Sequence, residues 1–348
     1  MLNSTAPIIT TIIPTYKRPT LLRRAILSVL AQSGPALQVC VYDNASGDST
    51  AGVVGRLAVQ DPRVKYFCHA SNIGGMANFQ YGLARVTTPL FSFLSDDDVL
   101  LPGFYEQAAH DLDTCPEAAF WCGVTILMDP EGTVYTARLA DWPKAGLYAP
   151  PDGILQMLRG SMPCWTSVLF RKIVIDKVGY LNEELQGPSD MEYLLRSAAN
   201  NRFFVSKHAS ALLLLHPDSF SETASLKCFW PGWQGMIKSV KQMGTLGDQD
   251  RKTIEHGLRH KAQRMLFRRG AAALAKKDHA FSGEAASMLR MHFINDWRAI
   301  ILGGLTSLCL KIPLFQFIYT KAYRFSEWLL LAKRVALRKK YGSLSRYL

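Results

Sequence analysis

The 348-residue sequence lacks several of the motifs that most directly identify a binding site. Its seven cysteines are an odd number, and they form neither a CxxC pair nor a zinc-ligand spacing. We therefore predict reduced, mostly buried thiols in a cytoplasmic protein, rather than a disulfide framework or a zinc site. The phosphate-loop pattern GxxxxGK[ST] and a GxGxxG turn after a strand are also missing, so any phosphate would have to be bound by other means.

The amino-terminal stretch "MLNSTAPIITTIIPTY" has no basic start, and its apolar run is short and interrupted by Pro14. These features do not fit a secretory signal peptide, and none is predicted. The sequence also contains no internal repeat and no low-complexity segment. Its 48% hydrophobic and 20% charged residues are typical of an ordinary globular protein.

The net charge of +12 is unevenly distributed. The segment 297–348 has five Arg and five Lys against one acid, Glu327, and so carries +9. A basic excess indicates an anionic partner, either a nucleic acid or a membrane surface. Aromatic stacking residues on a basic sheet and a recognised docking motif are both missing, so we do not expect nucleic acid.

The first hundred residues alternate between short apolar runs and amphipathic stretches. The predicted strands are 8–14, 37–43, 63–67 and 89–94, and the predicted helices between them are 20–32, 49–60 and 76–86. This alternation predicts an α/β fold with a mostly parallel sheet that is covered by helices on both faces. Ligands of such sheets bind beyond the carboxyl ends of the strands, which brings the loops "PTYKRP", "DNASGDS" and "SDDD" to one edge.

Three adjacent carboxylates, Asp96, Asp97 and Asp98, stand in the last of these loops. A bound cation, a solvated turn or a helix start could relieve their mutual repulsion, and 100–112 is a candidate helix for the last case. We favour the cation, because a magnesium or manganese ion held by carboxylates still has positions free for phosphate oxygens. Tyr16 could then cover the face of a nucleotide base.

Six stretches, in this order, resemble family 2 of the glycosyltransferases, which have the GT-A fold. They are "TTIIPTYKRPTLLRRAILSVLAQ", "VYDNASGDST", "SNIGGMANFQYGLA", "FLSDDDVLLPGFYEQ", "SVLFRKIVIDKVGYLNEELQGPSDMEYLLRSA" and "LLLHPDSFS". The resemblance covers roughly residues 8–221. It implies a catalytic domain over 1–222, with a nucleotide-sugar half of about 1–100 and an acceptor half of about 101–222.

The resemblance also implies roles for individual residues. The residues expected to bind the nucleotide sugar are Pro14, Thr15, Tyr16, Asp43, Asn72, Asp96 and Asp97. The expected ligands of Mn²⁺ or Mg²⁺ are Asp96, Asp98 and His216, although a turn histidine is the alternative for His216. Some members of the family have an arginine shortly after the loop at 74–78, and because this chain has none there, the charge of the diphosphate is expected to rest more on the metal.

Asp190 is the expected general base, with a helix N-cap as the alternative and Glu192 as the substitute base on the acceptor side. Trp165 is a candidate platform for the acceptor sugar and equally a candidate core residue. A base that activates an acceptor hydroxyl for direct attack implies inversion at the anomeric carbon. The resemblance therefore implies transfer from a UDP-sugar to a glycan or lipid-linked acceptor in bacterial surface polysaccharide synthesis. A non-catalytic sugar-nucleotide or polysaccharide-binding module is the alternative, against which the intact Asp96, Asp98 and Asp190 argue.

The region 223–348 is predicted to be helical, with amphipathic helices over 235–243, 249–280 and 282–300. The stretch 299–319 has 21 residues and only one charge, Lys311, but Lys311, Pro313 and Gln316 are costly inside a bilayer. The basic cluster "KRVALRKK" follows. This composition predicts a tail over 297–348 that associates with the anionic cytoplasmic face of the membrane. A solvated helical tail or a homo-oligomer contact is the alternative.

Overall fold

The computed structural model describes residues 6–215, 225–243 and 245–348. The strands are β1 Ile9–Thr15, β2 Leu37–Asp43, β3 Val64–Cys68, β4 Leu90–Phe93, β5 Val99–Leu100, β6 Ala118–Met128, β7 Val134–Arg138, β8 Gly146–Tyr148, β9 Val168–Arg171 and β10 Arg202–Leu214. The helices up to β10 are α1 Pro19–Leu30, α2 Thr50–Gln60, α3 Gly75–Leu83, α4 Phe104–Thr114, α5 Asp152–Arg159, α6 Ile173–Val178 and α7 Ser189–Asn200. The helices after β10 are α8 Leu226–Ser239, α9 Asp248–Ala275, α10 His279–His292, α11 Trp297–Lys311, α12 Pro313–Lys333 and α13 Val335–Tyr341.

The strands form one ten-stranded sheet with the order β3-β2-β1-β4-β9-β6-β10-β5, while β7 pairs with β6 and β8 with β10. The first four strands in this order are parallel, with Ile9 of β1 opposite both Leu37 and Leu90. β9 is antiparallel to both of its neighbours, and β6 and β10 are parallel to each other. Most of the paired residues lie in parallel ladders, which confirms the predicted mixed α/β fold with a mostly parallel sheet.

Both faces of the sheet are buried. In β1, Ile12 belongs to one hydrophobic cluster, whereas Ile9 and Ile13 belong to the cluster on the opposite face. Successive side chains of a strand point to opposite faces, so each cluster must be covered by its own layer of helices. This double cover is the reason that the strand sequences are almost continuously apolar.

The loop of three aspartates lies between β4 and β5, and α4 does not begin until Phe104. The alternative in which these acids start a helix is therefore wrong. The loop follows the carboxyl end of β4, where the parallel strands β1 and β2 also end. This arrangement places the loops "PTYKRP", "DNASGDS" and "SDDD" at a single edge of the sheet, and we call them the donor loops.

The carboxyl-terminal third is helical, but its boundaries differ from the prediction. The helix expected over 235–243 is Leu226–Ser239, and the helix expected over 249–280 ends at Ala275. Two further differences have a clear local cause. The single helix expected over 282–300 is divided, because Asp296 accepts a hydrogen bond from the Arg298 N–H at 3.0 Å and begins α11. The apolar stretch 299–319 is divided at Ile312, because Pro313 starts α12. Among the helices described above, none is both long and apolar enough to cross a bilayer.

Candidate functional site

A cavity of about 550 Å³ opens at the edge where β1 and β4 end. Its wall includes most of the residues expected from the sequence: Pro14, Thr15, Tyr16, Asn72, Asp96, Asp97, Asp98, Trp165 and Asp190. These residues come from both the amino-terminal and the carboxyl-terminal parts of the sheet. Neither Asp43 nor Glu192 is in the wall, and His216 lies outside the described residues. The volume is within the range of small-molecule sites.

Asp96 and Asp97 are held by the loop that follows β1. The Thr15 hydroxyl donates a hydrogen bond to Asp96 at 2.7 Å. The Arg18 Nη1 donates to Asp97 at 2.8 Å and to Asp96 at 3.3 Å. Both carboxylates are buried, so a guanidinium shared between them offsets part of their repulsion.

Asp98 is buried and is fixed by two groups from distant parts of the chain. Its Oδ2 accepts a hydrogen bond from the Thr166 hydroxyl at 2.7 Å, and its Oδ1 accepts one from the Leu214 N–H at 3.1 Å. Thr166 precedes β9, and Leu214 is the last residue of β10. The orientation of this carboxylate is therefore set by the second part of the sheet.

The electrostatics of the loop favour the binding of a cation. Burial, followed by repulsion from Asp97, raises the pKa of Asp96 to about 6, although Thr15 and Arg18 oppose the shift. Burial and the same neighbour raise the pKa of Asp98 well above its ordinary range. A divalent cation would reverse both shifts, because an adjacent positive charge stabilises the carboxylate form.

The donor atoms at this loop fit magnesium or manganese, both of which prefer oxygen ligands. In the part of the chain that the structure describes, no three or more His, Cys, Asp or Glu side chains are already arranged around a metal position. The carboxylates of Asp96 and Asp98 are instead directed to Thr15, Arg18 and Thr166. A metal held here would therefore have to complete its coordination with oxygens of a ligand such as a diphosphate.

The part of the cavity wall around Tyr16, which we call the nucleoside end, suits a nucleoside. Tyr16 is 41% exposed, and the Lys17 ammonium lies 5.1 Å from the centre of its ring. Nearby, the Asn44 Nδ2 donates to the Asn72 Oδ1 at 3.0 Å, and the Asn44 Oδ1 accepts from the Ile73 N–H at 2.8 Å. An accessible aromatic face beside fixed amide groups can stack on a base and hydrogen-bond its edge.

Asp43 lies one residue before Asn44, at the end of β2. Its Oδ1 accepts a hydrogen bond from the Ser46 N–H at 2.9 Å, and its Oδ2 accepts one from the Tyr66 hydroxyl at 2.6 Å. These contacts order the loop that carries Asn44. A direct contact between Asp43 and a uracil remains a prediction.

Asp190 is at the beginning of α7 and is part of the cavity wall. Its Oδ1 accepts a hydrogen bond from the Met191 N–H at 2.7 Å, whereas the N-cap position of α7 is held by Pro188. Burial raises the pKa of Asp190, and the Arg138 charge lowers it in part. A carboxylate with a raised pKa is a stronger base than an exposed one, as a general base requires.

Glu192 does not lie with the predicted site residues. It is 2% exposed, and its two oxygens bind Arg196 at 2.8 and 3.0 Å. The same guanidinium donates to the carbonyls of Val178 and Tyr180. The Glu192 side chain is directed away from the cavity and, through Arg196, links α7 to the segment before it. The structure therefore does not support the expected place of Glu192 on the acceptor side.

Trp165 is a core residue that also borders the cavity, and its contact with an acceptor sugar stays a prediction. Its ring is 7% exposed and packs on Phe79, with ring centres 4.4 Å apart, and on Phe93, with ring centres 4.9 Å apart. It also contributes to the cavity wall. One edge of a core aromatic cluster therefore reaches the site.

The sequence reasoning missed three residues that shape this site: Arg18, Asn44 and Thr166. Arg18 supplies a cation beside the aspartates, so positive charge at the cavity does not depend on an arginine near 74–78. Arg18 and Asn44 stand inside loops that were recognised as part of the site, which was the available signal. Thr166 gave no such signal, since it is 68 residues from its partner Asp98.

Sequence comparisons identify relatives of the chain. Residues 10–179 match the model of Glycosyl transferase family 2. A β-1,3-glucosyltransferase of Campylobacter jejuni that acts on GalNAc(5)-diNAcBac-PP-undecaprenol is 38% identical over 98 residues, which are 28% of this chain and 32% of that protein. An uncharacterized glycosyltransferase of Rickettsia typhi is 24% identical over 243 residues, which are 68% of this chain and 74% of that protein. The match to the Campylobacter enzyme thus spans about a third of its length.

Comparison with solved structures gives the same fold. S. aureus TarS 1–349 in complex with UDP-GlcNAc aligns over 91% of this chain and 92% of its own, with a TM-score of 0.60 and 15% identity. The mannosyltransferase PcManGT from Pyrobaculum calidifontis, in complex with GDP-Man and Mn²⁺, aligns over 95% and 87%, with a TM-score of 0.52 and 15% identity. At this identity the likeness establishes the fold alone, which is GT-A. Residues 10–179 thus match glycosyl transferase family 2, and the chain has the GT-A fold.

Proposed function

We propose that this protein transfers a sugar from a nucleotide diphosphate sugar, with UDP as the nucleotide, to a hydroxyl of a glycan or lipid-linked acceptor. The observation that carries the proposal is the single cavity that joins an accessible Tyr16, three buried aspartates and Asp190. A site for sugar transfer from a nucleotide diphosphate sugar needs a nucleoside end, a cation-attracting centre and a general base. The complex of TarS with UDP-GlcNAc supports a UDP-sugar as the donor.

Tyr16 and Asn72 would contact the nucleoside. Pro14 and Thr15 would form the cavity wall beneath it, and Asp43 would be a further partner of the nucleobase. Asp96 and Asp97 would lie toward the ribose. Asp96 and Asp98 would hold a Mn²⁺ or Mg²⁺, with His216 as a further ligand, and the ion would neutralise the charge of the departing diphosphate. The Mn²⁺ in the PcManGT complex supports this assignment. Arg18 would add a second positive charge at the same place.

Asp190 would accept the proton of the acceptor hydroxyl while that oxygen attacks the anomeric carbon, and the diphosphate would leave from the opposite face. This direct displacement gives inversion. Trp165 would offer an apolar ring edge to the acceptor sugar. The presence of Asp190 and Trp165 in the wall of the cavity that the three aspartates line supports these roles.

We also propose that residues 1–222 form the catalytic domain and that the helices of 223–348 attach the protein peripherally to the cytoplasmic face of the membrane. The acceptor of the Campylobacter relative, a lipid-linked glycan, supports a membrane-associated role in surface polysaccharide synthesis.

The donor site is tested by calorimetric titration with UDP, with and without Mn²⁺. We expect metal-dependent binding in the native protein and its loss in Asp98→Asn. Asp113→Asn is the matched control, because Asp113 is an exposed aspartate on α4. Binding of UDP that is equal with and without Mn²⁺, or equally weak in both variants, would contradict the metal assignment.

The base is tested separately from the donor site. We expect Asp190→Asn to lower kcat about 10² to 10⁴-fold while UDP affinity stays unchanged, since a general base contributes to the chemical step alone. NMR of the product with a donor of known anomeric configuration determines the stereochemistry. A product of retained configuration would exclude the single-base displacement.

A further inference from the structure

Helix α12 binds the rest of the protein through its polar side chains. Gln316, which is 6% exposed, donates to the Leu274 carbonyl at 2.9 Å. The hydroxyls of Tyr319 and Thr320 donate to the carbonyls of Ala271 at 3.1 Å and Ala275 at 3.2 Å. These carbonyls belong to the last turn of α9. The inner face of α12 is therefore polar.

Many of the outward side chains of α12 are apolar. Leu314, Phe317, Ile318, Phe325 and Trp328 are between 53% and 67% exposed. Their separations of three, four and seven residues place them along one stripe of the helix, which we call the outer apolar face. A helix at the surface of a protein in water has the opposite arrangement, with its apolar stripe toward the core.

The neighbouring helices extend this unusual exposure. Ile300, Ile301 and Leu308 of α11 are also exposed, whereas Ala299, Leu302 and Thr306 of the same helix are buried. Of the 25 large hydrophobic side chains that are exposed in the described ranges, 17 lie between Met291 and Val335. A concentration of this kind marks an interaction site or a membrane-facing surface rather than ordinary scatter.

The charges around the outer apolar face indicate whether its partner is a lipid surface or a second copy of the chain. Lys321 and Arg324 are exposed on α12 itself, and Arg338, Lys339 and Lys340 are exposed on α13. The only acid of the segment 297–348 is Glu327. Pairing two copies through this face would bring like charges together, whereas anionic headgroups would neutralise them.

We propose that the outer apolar face of α12 docks at the boundary between the headgroups and acyl chains of an anionic bilayer, with the helix in the membrane plane. Phe317, Phe325 and Trp328 enter the apolar layer, and Lys321 and Arg324 bind phosphate groups of the lipids. The inner polar bonds to α9 hold the helix in this orientation. The inference names the surface that serves the peripheral attachment proposed above, and it depends on neither the donor nor the reaction.

The test is flotation with two kinds of vesicle, one of phosphatidylcholine and one of phosphatidylcholine mixed with phosphatidylglycerol. We expect the native chain to float with the mixed vesicles alone. The double variant Phe317→Ser/Trp328→Ser should lose about tenfold or more in lipid affinity, because two large apolar groups no longer leave water. Val59→Ser/Ile173→Ser is the matched control, since both side chains are exposed on the catalytic part of the chain.

A second pair separates the role of charge. Lys321→Glu/Arg324→Glu should lower affinity for the mixed vesicles by about tenfold or more. Lys65→Glu/Lys252→Glu makes the same change in net charge at exposed positions elsewhere and should keep most of the affinity. Calorimetry with UDP and Mn²⁺ verifies that the donor site of each variant is intact, so a failure of the donor assignment is distinguished from a failure of membrane docking.

Three results would overturn the proposal. The first is equal flotation with both kinds of vesicle. The second is an equal loss in the variants and their controls. The third is light scattering that finds a dimer dissociated by Phe317→Ser/Trp328→Ser in a chain that does not float, which would make the outer apolar face an interface between copies.

Discussion

In the absence of a divalent ion, Arg18 offsets the negative charge of the donor site, because its guanidinium binds both Asp96 and Asp97. A metal and Arg18 would compete for Asp96, yet both would favour a bound diphosphate. We therefore expect Arg18→Ala to bind Mn²⁺ more tightly than the native protein and to bind UDP about tenfold more weakly, since a charge-assisted hydrogen bond to phosphate is lost. Calorimetry with each ligand measures the two effects.

Arg23→Ala is the control for Arg18→Ala, because Arg23 is an exposed arginine of α1. Weaker binding of both Mn²⁺ and UDP in Arg18→Ala would indicate that Arg18 only orders the loop.

We expect the charge of the buried Asp98 to destabilise the metal-free protein. Its pKa is raised by burial, so the folded state binds the proton more tightly than the unfolded state does. The stability that this proton supplies is complete below the unfolded pKa of about 3.9 and is lost as pH rises through the higher folded pKa. In Asp98→Asn the Thr166 hydroxyl can turn to accept from the amide, while the Leu214 N–H keeps its carbonyl acceptor.

We therefore expect Asp98→Asn to unfold at a higher temperature than the native metal-free protein, with a gain on the order of 1 kcal/mol at pH 8 and a smaller gain at pH 5. Thermal unfolding without metal at both pH values measures this difference. A variant that is less stable than the native protein at pH 8 would indicate that hydrogen bonding, rather than charge, dominates at this position. Asp113→Asn should change little at either pH.

At the scale of elements, α8 controls the position of the loop that leads to Asp190. A side chain at Gly232 of α8 would overlap the Leu185 carbonyl and Pro188, so this helix approaches the loop as closely as only glycine allows. We expect Gly232→Ala to lower kcat at least about tenfold while UDP affinity stays unchanged, because a displacement near 1 Å can misplace a base. Steady-state kinetics and calorimetry together separate the two quantities.

Gly283→Ala on α10 is the matched control for Gly232→Ala. A methyl group at Gly283 meets no atom within 4 Å, so this variant should keep its activity and gain about 0.5 to 1 kcal/mol of helix stability. Equal kinetic losses in the two variants would exclude the positioning role of α8.

The extent to which sequence predicts structure also differs between elements. The strands β1 to β4 were predicted to within one or two residues. In β1, β2 and β4 the reason is burial on both faces, which requires an apolar run, whereas β3 is a mostly exposed edge strand. The loops of the donor site followed from the rule for parallel strand ends. The division at Asp296 was missed, because a single capping side chain interrupts an otherwise periodic pattern.

Two features of the site and tail could not be read from local pattern. The bond between Thr166 and Asp98 depends on the antiparallel insertion of β9 between β4 and β6, which no local spacing encodes. The composition of α12 indicated an amphipathic helix but not which stripe faces the protein. That choice depends on the backbone carbonyls at the end of α9, which accept hydrogen bonds from Gln316, Tyr319 and Thr320.

At the scale of the whole molecule, one sheet contains both the strands that end at the donor loops and those that carry Thr166 and Leu214. β4 of the first hundred residues is bonded to β9, and β9 is bonded to β6. We therefore expect β1, β4, β9 and β6 to unfold as one cooperative unit. Hydrogen exchange at increasing denaturant concentration, followed by peptide, measures this. Exchange of β1 and β4 at a lower denaturant concentration than β6 would indicate two independent units.

The continuous sheet has a consequence for how the catalytic cycle can proceed. Enzymes built from two domains often close by rotation about a hinge, but a hinge between these two parts would break the ladders on either side of β9. The spacing between the donor loops and the end of β10 is thus as rigid as the sheet itself. For the proposed transferase we therefore expect nucleotide exchange to depend on motion of the loops at the rim rather than on domain closure.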